Sequence, residues 1–433
     1  MTKYVFDQFT VGSSNRMAYS LAFDMATNPD IKHNPIYLYG GIGVGKTHLL
    51  RAIGNEFIKK NPDNKVIYTT VQQFTEEMVN ALRDNNMDKF RLKYSNVSLL
   101  LMDEIQSLVY RQRTTKELLL ILNEMKKANG RIVFSGNCPH NMIGKKYDEK
   151  KWLEKNLHIK LSSKSIAVIH KPDLETRIAF LKGKAEIKNI NVGDDVIQYL
   201  ANNIDSNMRE LNGVLETVMG YAELLQSDIT TDLAAKALQG FLANSSGNVI
   251  PQVDTKNEIN EDKTSNFAHF LISEVVANPG GKYNPVYLYG DTGAGKTHLL
   301  HDIGDEFKKN NPEKAVVYTT GGEFTEELIG SVRDNKIEIF LKKYRNADLL
   351  LLDDIQLCSR RLPIQEGLRN IFDAVMDANN QIVISGDCPP YKSRGLLEEL
   401  RSRFSGGVVV NMNRYRLKEK LDNNVQDIWG EKR

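Results

Sequence analysis

Residues 34–62 read NPIYLYGGIGVGKTHLLRAIGNEFIKKNP, which is a short apolar strand pattern, a glycine-rich loop and an amphipathic helical pattern in succession. The loop has the spacing Gly-x-x-x-x-Gly-Lys-Thr from Gly40 to Thr47. Glycines at these positions let backbone N–H groups converge on phosphate oxygens, and the N-terminus of the following helix adds a favourable dipole. Because a strand pattern precedes the loop and a helix pattern follows it, the stretch predicts a P-loop and not a plain glycine turn.

The same pattern occurs a second time in the chain. Residues 284–312 read NPVYLYGDTGAGKTHLLHDIGDEFKKNNP. Lys46 and Lys296 are 250 residues apart, as are Asp103 and Asp353, so no net insertion separates these positions. This spacing indicates a duplication, and since it is far longer than a solenoid repeat, each copy is predicted to be a domain.

Within each copy, short β-rich runs alternate with amphipathic helical patterns. This alternation predicts an α/β fold in which helices cover both faces of a parallel sheet. In the first copy only, helical patterns without strands follow the core and predict a small helical lid. A polar stretch after this lid predicts a linker. The predicted order is core, lid, linker, second core without a lid, and tail, with bounds 1–171, 172–243, 244–263, 264–413 and 414–433.

The composition limits the possible functions. The formal net charge of the 433 residues is +2, so any contact with nucleic acid must come from a local basic patch. Three cysteines without paired spacing predict reduced thiols and no metal site. Because the start of the chain has no signal-like segment and no apolar run approaches about 20 residues, we expect a cytoplasmic protein without membrane contact.

The two motifs predict ligands for a nucleoside triphosphate and its metal ion. The lysine contacts the β- and γ-phosphates of ATP, and the following threonine hydroxyl binds Mg²⁺. An acidic pair after an apolar strand can hold the Mg²⁺ shell and polarise the attacking water, although such a pair alone also fits a solvated turn. The predicted phosphate-loop residues are Gly41, Gly43, Gly45, Lys46 and Thr47 in the first copy and Gly293, Gly295, Lys296 and Thr297 in the second. The predicted metal ligands are Thr47, Asp103, Thr297 and Asp353. The predicted catalytic partners are Glu104 and Asp354.

The strand pattern after each acidic pair also ends in a polar residue. These residues are Asn137 in the first copy and Asp387 in the second. Asn137 is predicted to be catalytic by positioning the attacking water, although a residue at a strand end can also belong to an ordinary turn.

Further segments go beyond a generic P-loop protein: YVFDQFTVGSSNRMAYS, NPIYLYGGIGVGKTHLLRAIGNE, FTEEMVNALRDNN, LLLMDEIQ, KPDLETRIAFL and SNMRELNGVLE. Together they resemble the AAA+ core of the bacterial replication initiator DnaA, over residues 4–243 and again over residues 264–413. The resemblance implies an AAA+ ATPase that binds ATP and Mg²⁺ and acts in the initiation of DNA replication. It also implies self-association or contact with DnaA-like protomers.

The resemblance gives roles to residues outside the P-loop. Val11, Gly12 and Asn15 match the loop that covers the adenine, and Arg209 matches the catalytic lid arginine that senses the γ-phosphate. In the second copy, NEDKTSN replaces the adenine loop, and no lid with a sensor arginine follows. The first copy is therefore expected to hold the better nucleotide site.

The resemblance also implies contact with single-stranded DNA. Val79, Arg111 and Arg113 match the family's DNA-contact positions, and guanidinium groups neutralise phosphates without reading the sequence. Without the resemblance, the two arginines would fit a solvated loop. The second copy has Arg361 and Pro363 at the corresponding positions.

Two parts of the family pattern have no counterpart in the sequence. No helix-turn-helix follows Phe241 or ends the chain, so sequence-specific binding of duplex DNA is not expected. Because the core pattern begins almost at Met1, we also expect no counterpart of the family's N-terminal interaction domain.

The copies differ at the family's arginine-finger position. The first copy reads NLHIKLSS, with Lys160 at that position, and the second reads LRSRFSGG, with Arg403. Lysine supplies charge without arginine's planar fork of donors. We therefore predict that Arg403 is catalytic and completes the ATP site of the first copy, within one chain or between chains. Arg403 could also simply survive in a decaying copy.

Three functions remain open at this point. The first is a slow ATPase that assembles on single-stranded DNA, which the DNA-contact positions favour. The second is a regulatory module that docks on a full-length DnaA or helicase-loader protomer and changes its nucleotide state, which the missing duplex-binding segment favours. The third is an inactive duplicate, against which two intact P-loops argue.

Overall fold

A computed structural model describes most of the chain. It covers residues 4–31, 33–143, 152–157, 159, 161–242, 262–334, 336–359 and 361–414. The chain divides into two compact units, Met1–Gly183 with Ser206–Met208, and Lys184–Asp205 with Arg209–Arg433. Among the described residues, no helix has the length and apolar character needed to cross a membrane.

The first unit is built on a parallel sheet of five strands, the first core. Its strands are β1 (Ile36–Gly40), β2 (Val66–Thr70), β3 (Leu99–Asp103), β4 (Arg131–Gly136) and β5 (Ile166–Ile169). Their order is β2-β3-β4-β1-β5, and each neighbouring pair is parallel. Its helices are α1 (Arg16–Thr27), α2 (Lys46–Lys60), α3 (Val71–Arg83), α4 (Met87–Ser95), α5 (Gln112–Lys127) and α6 (Trp152–Leu157).

The strand β3 shows why this sequence forms a covered sheet. All five of its residues, LLLMD, are buried. Leu100 and Met102 belong to one hydrophobic cluster, and Leu99 and Leu101 to another. Since side chains alternate between the faces of a strand, a run that is apolar at every position is buried only where helices cover both faces.

Residues 174–242 form a group of four helices without a strand, called the lid below. The lid helices are α7 (Leu174–Ile187), α8 (Asp194–Asn203), α9 (Met208–Leu225) and α10 (Thr231–Leu242). In α9, Leu211, Val214, Leu215 and Val218 are buried, at the spacing of one helix face.

A second parallel sheet of five strands, the second core, follows the lid. Its strands are β6 (Val286–Tyr289), β7 (Val316–Thr320), β8 (Leu349–Asp353), β9 (Gln381–Gly386) and β10 (Val408–Asn411). Its helices are α11 (Asp262–Ala277), α12 (Lys296–Asn310), α13 (Gly321–Arg333), α14 (Ile337–Arg345), α15 (Leu362–Asp377) and α16 (Glu398–Phe404).

The order of strands in the second sheet repeats that of the first. Counted from β7, it is β7-β8-β9-β6-β10, again with parallel neighbours. The predicted α/β fold with parallel, helix-covered sheets is confirmed. The described residues after β10 form only a short 3-10 turn, Met412–Arg414. The predicted linker lies outside the described residues except for Asp262 and Lys263, as does the tail from residue 415, and the domain bounds stay a prediction.

The helix that follows the second strand begins in the same way in both cores. Thr70 accepts a hydrogen bond from the backbone of Gln73 and receives the Gln73 side chain on its own N–H, a capping box. Thr320 and Glu323 form the same pair at the start of α13. These reciprocal bonds satisfy backbone donors that a helix start leaves open, so the helix begins directly at the strand end.

Candidate nucleotide site

A tight glycine-rich loop connects β1 to α2, between Gly40 and Lys46. Gly43 and Gly45 have φ angles of +70° and +108°, in the left-handed region that favours glycine. A Cβ atom on Gly45 would lie 2.8 Å from the ring of Phe9. The loop leads into a helix whose first N–H groups have no intrahelical acceptor, a set of donors suited to phosphate.

The side chain of Lys46 folds over this loop. Its Nζ atom donates to the carbonyl oxygens of Gly40 at 2.8 Å and Gly41 at 2.5 Å. A phosphate oxygen would offer the ammonium group an acceptor of opposite charge, which binds it more strongly than a carbonyl does. The residues of this loop therefore fit a nucleotide phosphate.

The hydroxyl of Thr47 connects the P-loop to the end of β3. It donates to Asp103 Oδ2 at 2.7 Å, and the hydroxyl of Tyr68 donates to the same oxygen at 3.2 Å. The other carboxylate oxygen accepts from the Ser135 hydroxyl on β4 and from the backbone N–H of Glu104. A hydroxyl and a carboxylate side by side are oxygen ligands that suit Mg²⁺, which completes its shell with phosphate and water.

The backbone after β3 has an uncommon conformation. Glu104 has a φ angle of +60°, and Asp354 after β8 has +49°, both in the left-handed region that residues with side chains rarely adopt. Such outliers cluster at functional sites. Asn137, exposed after β4, donates its N–H to Gln106 Oε1 at 3.3 Å. Since β3 and β4 are neighbours, Glu104 and Asn137 follow adjacent strand ends at one edge of the sheet.

The predicted adenine loop forms a compact turn against the start of α7. The N–H of Gly12 donates to Asn15 Oδ1 at 2.9 Å, and Asn15 Nδ2 donates to the carbonyl of Thr10 at 2.9 Å. A Cβ atom on Gly12 would lie 1.9 Å from Thr176 Oγ1, so glycine allows this close approach. Asn15 is buried, whereas Val11 is 41% exposed.

Asp173 joins this turn to α7, a role that no sequence motif revealed. Its carboxylate accepts from the Ser13 hydroxyl, and from the Thr176 N–H at 2.8 Å and the Thr176 hydroxyl at 2.6 Å. These hydrogen bonds, first the one from Ser13, lower the pKa of Asp173. An aspartate just before a helix pattern is a capping signal that could have indicated it.

The chain just before Arg209 contacts the P-loop. The N–H of Met208 donates to the carbonyl of Gly43 at 3.2 Å. A Cβ atom on Gly43 would lie 2.4 Å from Asn207 Oδ1, so the glycine allows the Asn207 side chain to come close to the loop. Arg209 itself lies in the first turn of α9.

The second core carries a P-loop of the same shape. Gly293 and Gly295 have φ angles of +79° and +85°. The side chain of Lys296, which is only 8% exposed, donates from Nζ to Gly290 O at 2.7 Å and to Asp291 O at 2.9 Å. The loop geometry is therefore compatible with phosphate in both cores.

The acidic end of β8 repeats the arrangement at β3. Thr297 donates to Asp353 Oδ2 at 2.7 Å, and Tyr318 donates to the same oxygen at 2.9 Å. Ser385 donates to the other carboxylate oxygen. Ser135 and Ser385 were not among the predicted site residues, although their equal positions in the two copies offered a signal.

The second core differs from the first around its P-loop. Residues 262–265 belong to α11, whereas the corresponding residues 12–15 form the turn of the adenine loop. The side-chain oxygen of Asn413 accepts from the N–H of Asp291 at 2.5 Å, which occupies a loop donor. A Cβ on Gly290 would lie 2.7 Å from that oxygen.

The predicted DNA-contact residues lie around α3. The guanidinium group of Arg111 donates to Thr75 Oγ1 at 3.1 Å and to the side-chain oxygen of Gln72. Gln72, Thr75 and Val79 lie on one face of α3, because they are spaced by one and two helix turns. Val79 is 37% exposed and Arg113 is exposed at the start of α5. The fold thus brings Arg111 and Val79 to one helix face.

The corresponding surface of the second core is different. Gly322 stands where the first core has Gln72, so one of the two acceptors of Arg111 has no counterpart there, whereas Thr325 corresponds to Thr75. Arg361 precedes α15, and Pro363 lies in the first turn of that helix.

Arg403, the predicted arginine finger, is held in an ion pair. Its Nε and Nη2 atoms donate to the two carboxylate oxygens of Asp373 at 2.7 and 2.6 Å, and its Nη1 donates to Glu399 O at 3.1 Å. Arg403 is 8% exposed. Asp373 was not among the predicted site residues. Lys160, at the corresponding position of the first core, lies outside the described residues.

The sheet order, the glycine loop before α2 and the acidic end of β3, which β4 separates from β1, define a P-loop protein of the AAA+ class. A family model, the bacterial DnaA ATPase domain, matches residues 1–158 and 255–411. The chain belongs to this family.

Solved structures of the family resemble the chain. Domain III of the Thermotoga maritima replication initiation protein DnaA is 29% identical, with a TM-score of 0.51, over 56% of this chain and 99% of that one. DnaA bound to AMPPCP and single-stranded DNA is 22% identical, with a TM-score of 0.45, over 78% and 99%. AMPPCP-bound DnaA from Aquifex aeolicus is 24% identical, with a TM-score of 0.44, over 78% and 93%.

Proposed function

We propose that the protein binds ATP with Mg²⁺ at the P-loop of its first core, hydrolyses it slowly, and acts in the initiation of DNA replication. The hydrogen bond of 2.7 Å from Thr47 to Asp103 carries this proposal, because it joins the phosphate-binding helix end to the acidic end of a buried strand. Membership of the DnaA ATPase family agrees with it.

Each side chain of the first core has its own task in the proposed reaction. Lys46 binds phosphate oxygens, and Thr47 and Asp103 hold Mg²⁺, which neutralises phosphate charge when it is bound. Glu104 accepts a hydrogen bond from the attacking water and orients it, while Asn137 fixes its position. Catalysis then consists of positioning and electrostatic stabilisation, without a covalent intermediate on the protein.

Two arginines complete the proposed machinery. Arg209 of the lid binds the γ-phosphate, and Arg403 stabilises the charge that develops as the phosphate leaves. An arginine finger is worth about 10³–10⁵ in rate, so a site without one turns over very slowly.

The two cores are proposed to be tandem copies of one ancestral domain, the second without a lid. The constant spacing of 250 residues and the shared order of strands support this. The first copy is proposed to bind nucleotide more tightly, because the turn of Gly12 and Asn15 braces against α7 there. In the second copy, a helix takes the place of that turn.

A titration with a fluorescent ATP analogue tests the proposal, with Lys46→Ala and its counterpart Lys296→Ala as matched variants. We expect Lys46→Ala to remove most of the binding and turnover, and Lys296→Ala to remove little. The opposite result would make the second core the principal site. Absence of ATP binding by the unchanged protein would contradict the proposed function altogether.

The protein is further proposed to assemble on single-stranded DNA in its ATP-bound form. Arg111 supports this, since it is anchored by Gln72 and Thr75 on the face of α3 that presents Val79. Arg113 adds an exposed charge nearby in the sequence. The alternative is a regulatory module that docks on a DnaA or helicase-loader protomer and changes its nucleotide state.

A further inference from the structure

The lid helix α9, from Arg209 onward, packs on the second core within one compact unit of the chain. The first half of α9 lies against the turn between α16 and β10. A Cβ atom on Gly213 would lie 2.0 Å from Ser405 O and 2.7 Å from Gly407 O. The side-chain amide of Asn212 donates to Gly406 O at 3.2 Å. Because backbone and helix touch directly, any side chain at Gly213 would force them apart.

The other end of α9 is attached as well. The carboxylate of Glu223 accepts from the Lys282 amino group and from the Tyr283 hydroxyl, just before β6. Burial raises the pKa of Glu223, but the bonds from Lys282 and Tyr283 outweigh burial and lower it. Tyr221 and Leu224 pack against the hydrophobic cluster that contains Tyr283. The lid is therefore attached to the second core along the length of α9.

Two functional arginines meet at this interface. Arg403 forms its two-pronged ion pair with Asp373 at the end of α15. Gly406 lies in the turn that follows α16. A Cβ atom added to this glycine would lie 3.8 Å from the Cβ atom of Arg209. Burial raises the pKa of the Asp373 carboxyl, but the guanidinium groups of Arg403, Arg209 and Arg369 outweigh burial and lower it.

The first core has a different pair of residues at these positions. Asn123 stands 250 residues before Asp373, and Lys160 stands at the finger position that Arg403 occupies in the second core. The acid and the arginine therefore differ together between the cores. Such a joint difference is expected if the Asp373 carboxylate orients the Arg403 guanidinium group.

We propose that the second core is an intramolecular docking partner of the lid, and that the docked state holds Arg209 and Arg403 together as a pair beside Asp373. In this arrangement, Asp373 is a positioning residue. Its carboxylate holds the arginine fork in the orientation from which the guanidinium group can also donate to a nucleotide phosphate, an anion of higher charge. The docking of the lid on the second core is supported by these contacts alone. The contact of Arg403 with a nucleotide phosphate rests on the proposed function.

Hydrogen exchange of the nucleotide-free, full-length protein tests the docking. Gly213→Leu should speed exchange in two places, α9 and the turn from Ser405 to Gly407. Gly183→Leu is the matched control, because a Cβ on this helical glycine of α7 has no atom within 4 Å. Faster exchange confined to α9 would overturn the docking. Should Gly213→Leu fail to fold, Glu223→Gln is expected to speed exchange at the other end of the contact, in the last turns of α9 and around Lys282 and Tyr283.

Steady-state kinetics of the full-length protein test the role of Asp373. Asp373→Asn should lower kcat about as far as Arg403→Ala without raising KM, because the arginine loses its orientation while the ATP ligands of the first core are unchanged. Asp373→Glu should recover part of kcat. An unchanged kcat, or a glutamate no better than the asparagine, would overturn the positioning role. If the unchanged protein does not bind ATP, the proposed function is wrong. The hydrogen-exchange experiment still tests whether the lid docks on the second core, because it needs no nucleotide.

Discussion

The hydroxyl of Thr47 donates a hydrogen bond of 2.7 Å to the carboxylate of Asp103, across 56 residues of chain. This bond joins the first turn of α2 to the end of β3, and Thr297 and Asp353 repeat it in the second core at the same distance. The bond depends on the order of the strands, since β4 lies between β1 and β3, and Ser135 of β4 donates to the same carboxylate.

The hydroxyl of Ser135 donates to Asp103, so Ser135→Ala is expected to weaken the proposed Mg²⁺ site. Loss of a partner that holds a metal ligand typically costs about 10–100-fold in metal affinity or activity. The Mg²⁺ dependence of ATP turnover measures the effect. Ser385→Ala removes the same hydroxyl from the second core and serves as control. Equal effects of the two substitutions would contradict a leading role for the first core.

Arg403→Ala is expected to reduce ATP turnover by about 10³-fold or more, because an arginine finger stabilises charge only in the transition state. ATP binding by the first core should stay almost unchanged. Single-turnover kinetics beside nucleotide titration separate the two effects. Arg401→Ala, on the same helix, is the matched control. Equal turnover in the Arg403 variant and the unchanged protein would show that Arg403 merely survives in the second copy.

Binding to single-stranded DNA is expected to fall steeply with salt and to ignore sequence. Each phosphate contact contributes about 0.7 to the slope of log affinity against log salt for single strands. The double variant Arg111→Ala with Arg113→Ala should bind all sequences more weakly, with a smaller slope. Arg361→Ala is the control from the second core. An unchanged affinity in the double variant would favour docking on a DnaA or helicase-loader protomer.

The ion pair of Asp373 and Arg403 predicts a defined pH dependence of stability. Because the folded pKa of Asp373 is lowered, the ionised carboxylate stabilises the fold above the ordinary aspartate pKa of about 3.9. That stabilisation is lost as the pH falls through the lowered pKa. The stability difference between the unchanged protein and Asp373→Asn should therefore be constant from about pH 8 to 5 and vanish in stronger acid. Denaturant unfolding across this range measures it, and a difference that vanishes near pH 6 would contradict the assignment.

Much of the architecture could be predicted from local patterns. The first four residues of β3, LLLM, are apolar on both faces of the strand, so this run had to lie in a sheet covered on both faces. The spacing from Gly40 to Thr47, between a strand pattern and a helix pattern, predicted the loop in which Gly43 and Gly45 have positive φ angles. These features depend on residues close together in the chain.

The partners of the functional side chains could not be predicted in the same way. Ser13 and Asp173 are 160 residues apart, and Arg403 and Asp373 are 30 apart, yet both pairs are hydrogen-bonded. Arg403 was expected only as a finger, and its fork is occupied by a carboxylate that no motif marks. Such partners depend on which strands are neighbours.

The sequence by itself determined the glycine-rich loops, the covered parallel sheets and the helices of residues 174–242, because backbone preference and hydrophobic period act over a few residues to a few turns. Only the tertiary structure decided that Ser135 orients Asp103, that Gly213 lets α9 touch the turn after α16, and that Asp373 holds Arg403. The physical reason is that hydrogen bonds and close packing require atoms within a few ångströms, and distant residues reach that separation only after the sheet and lid have formed.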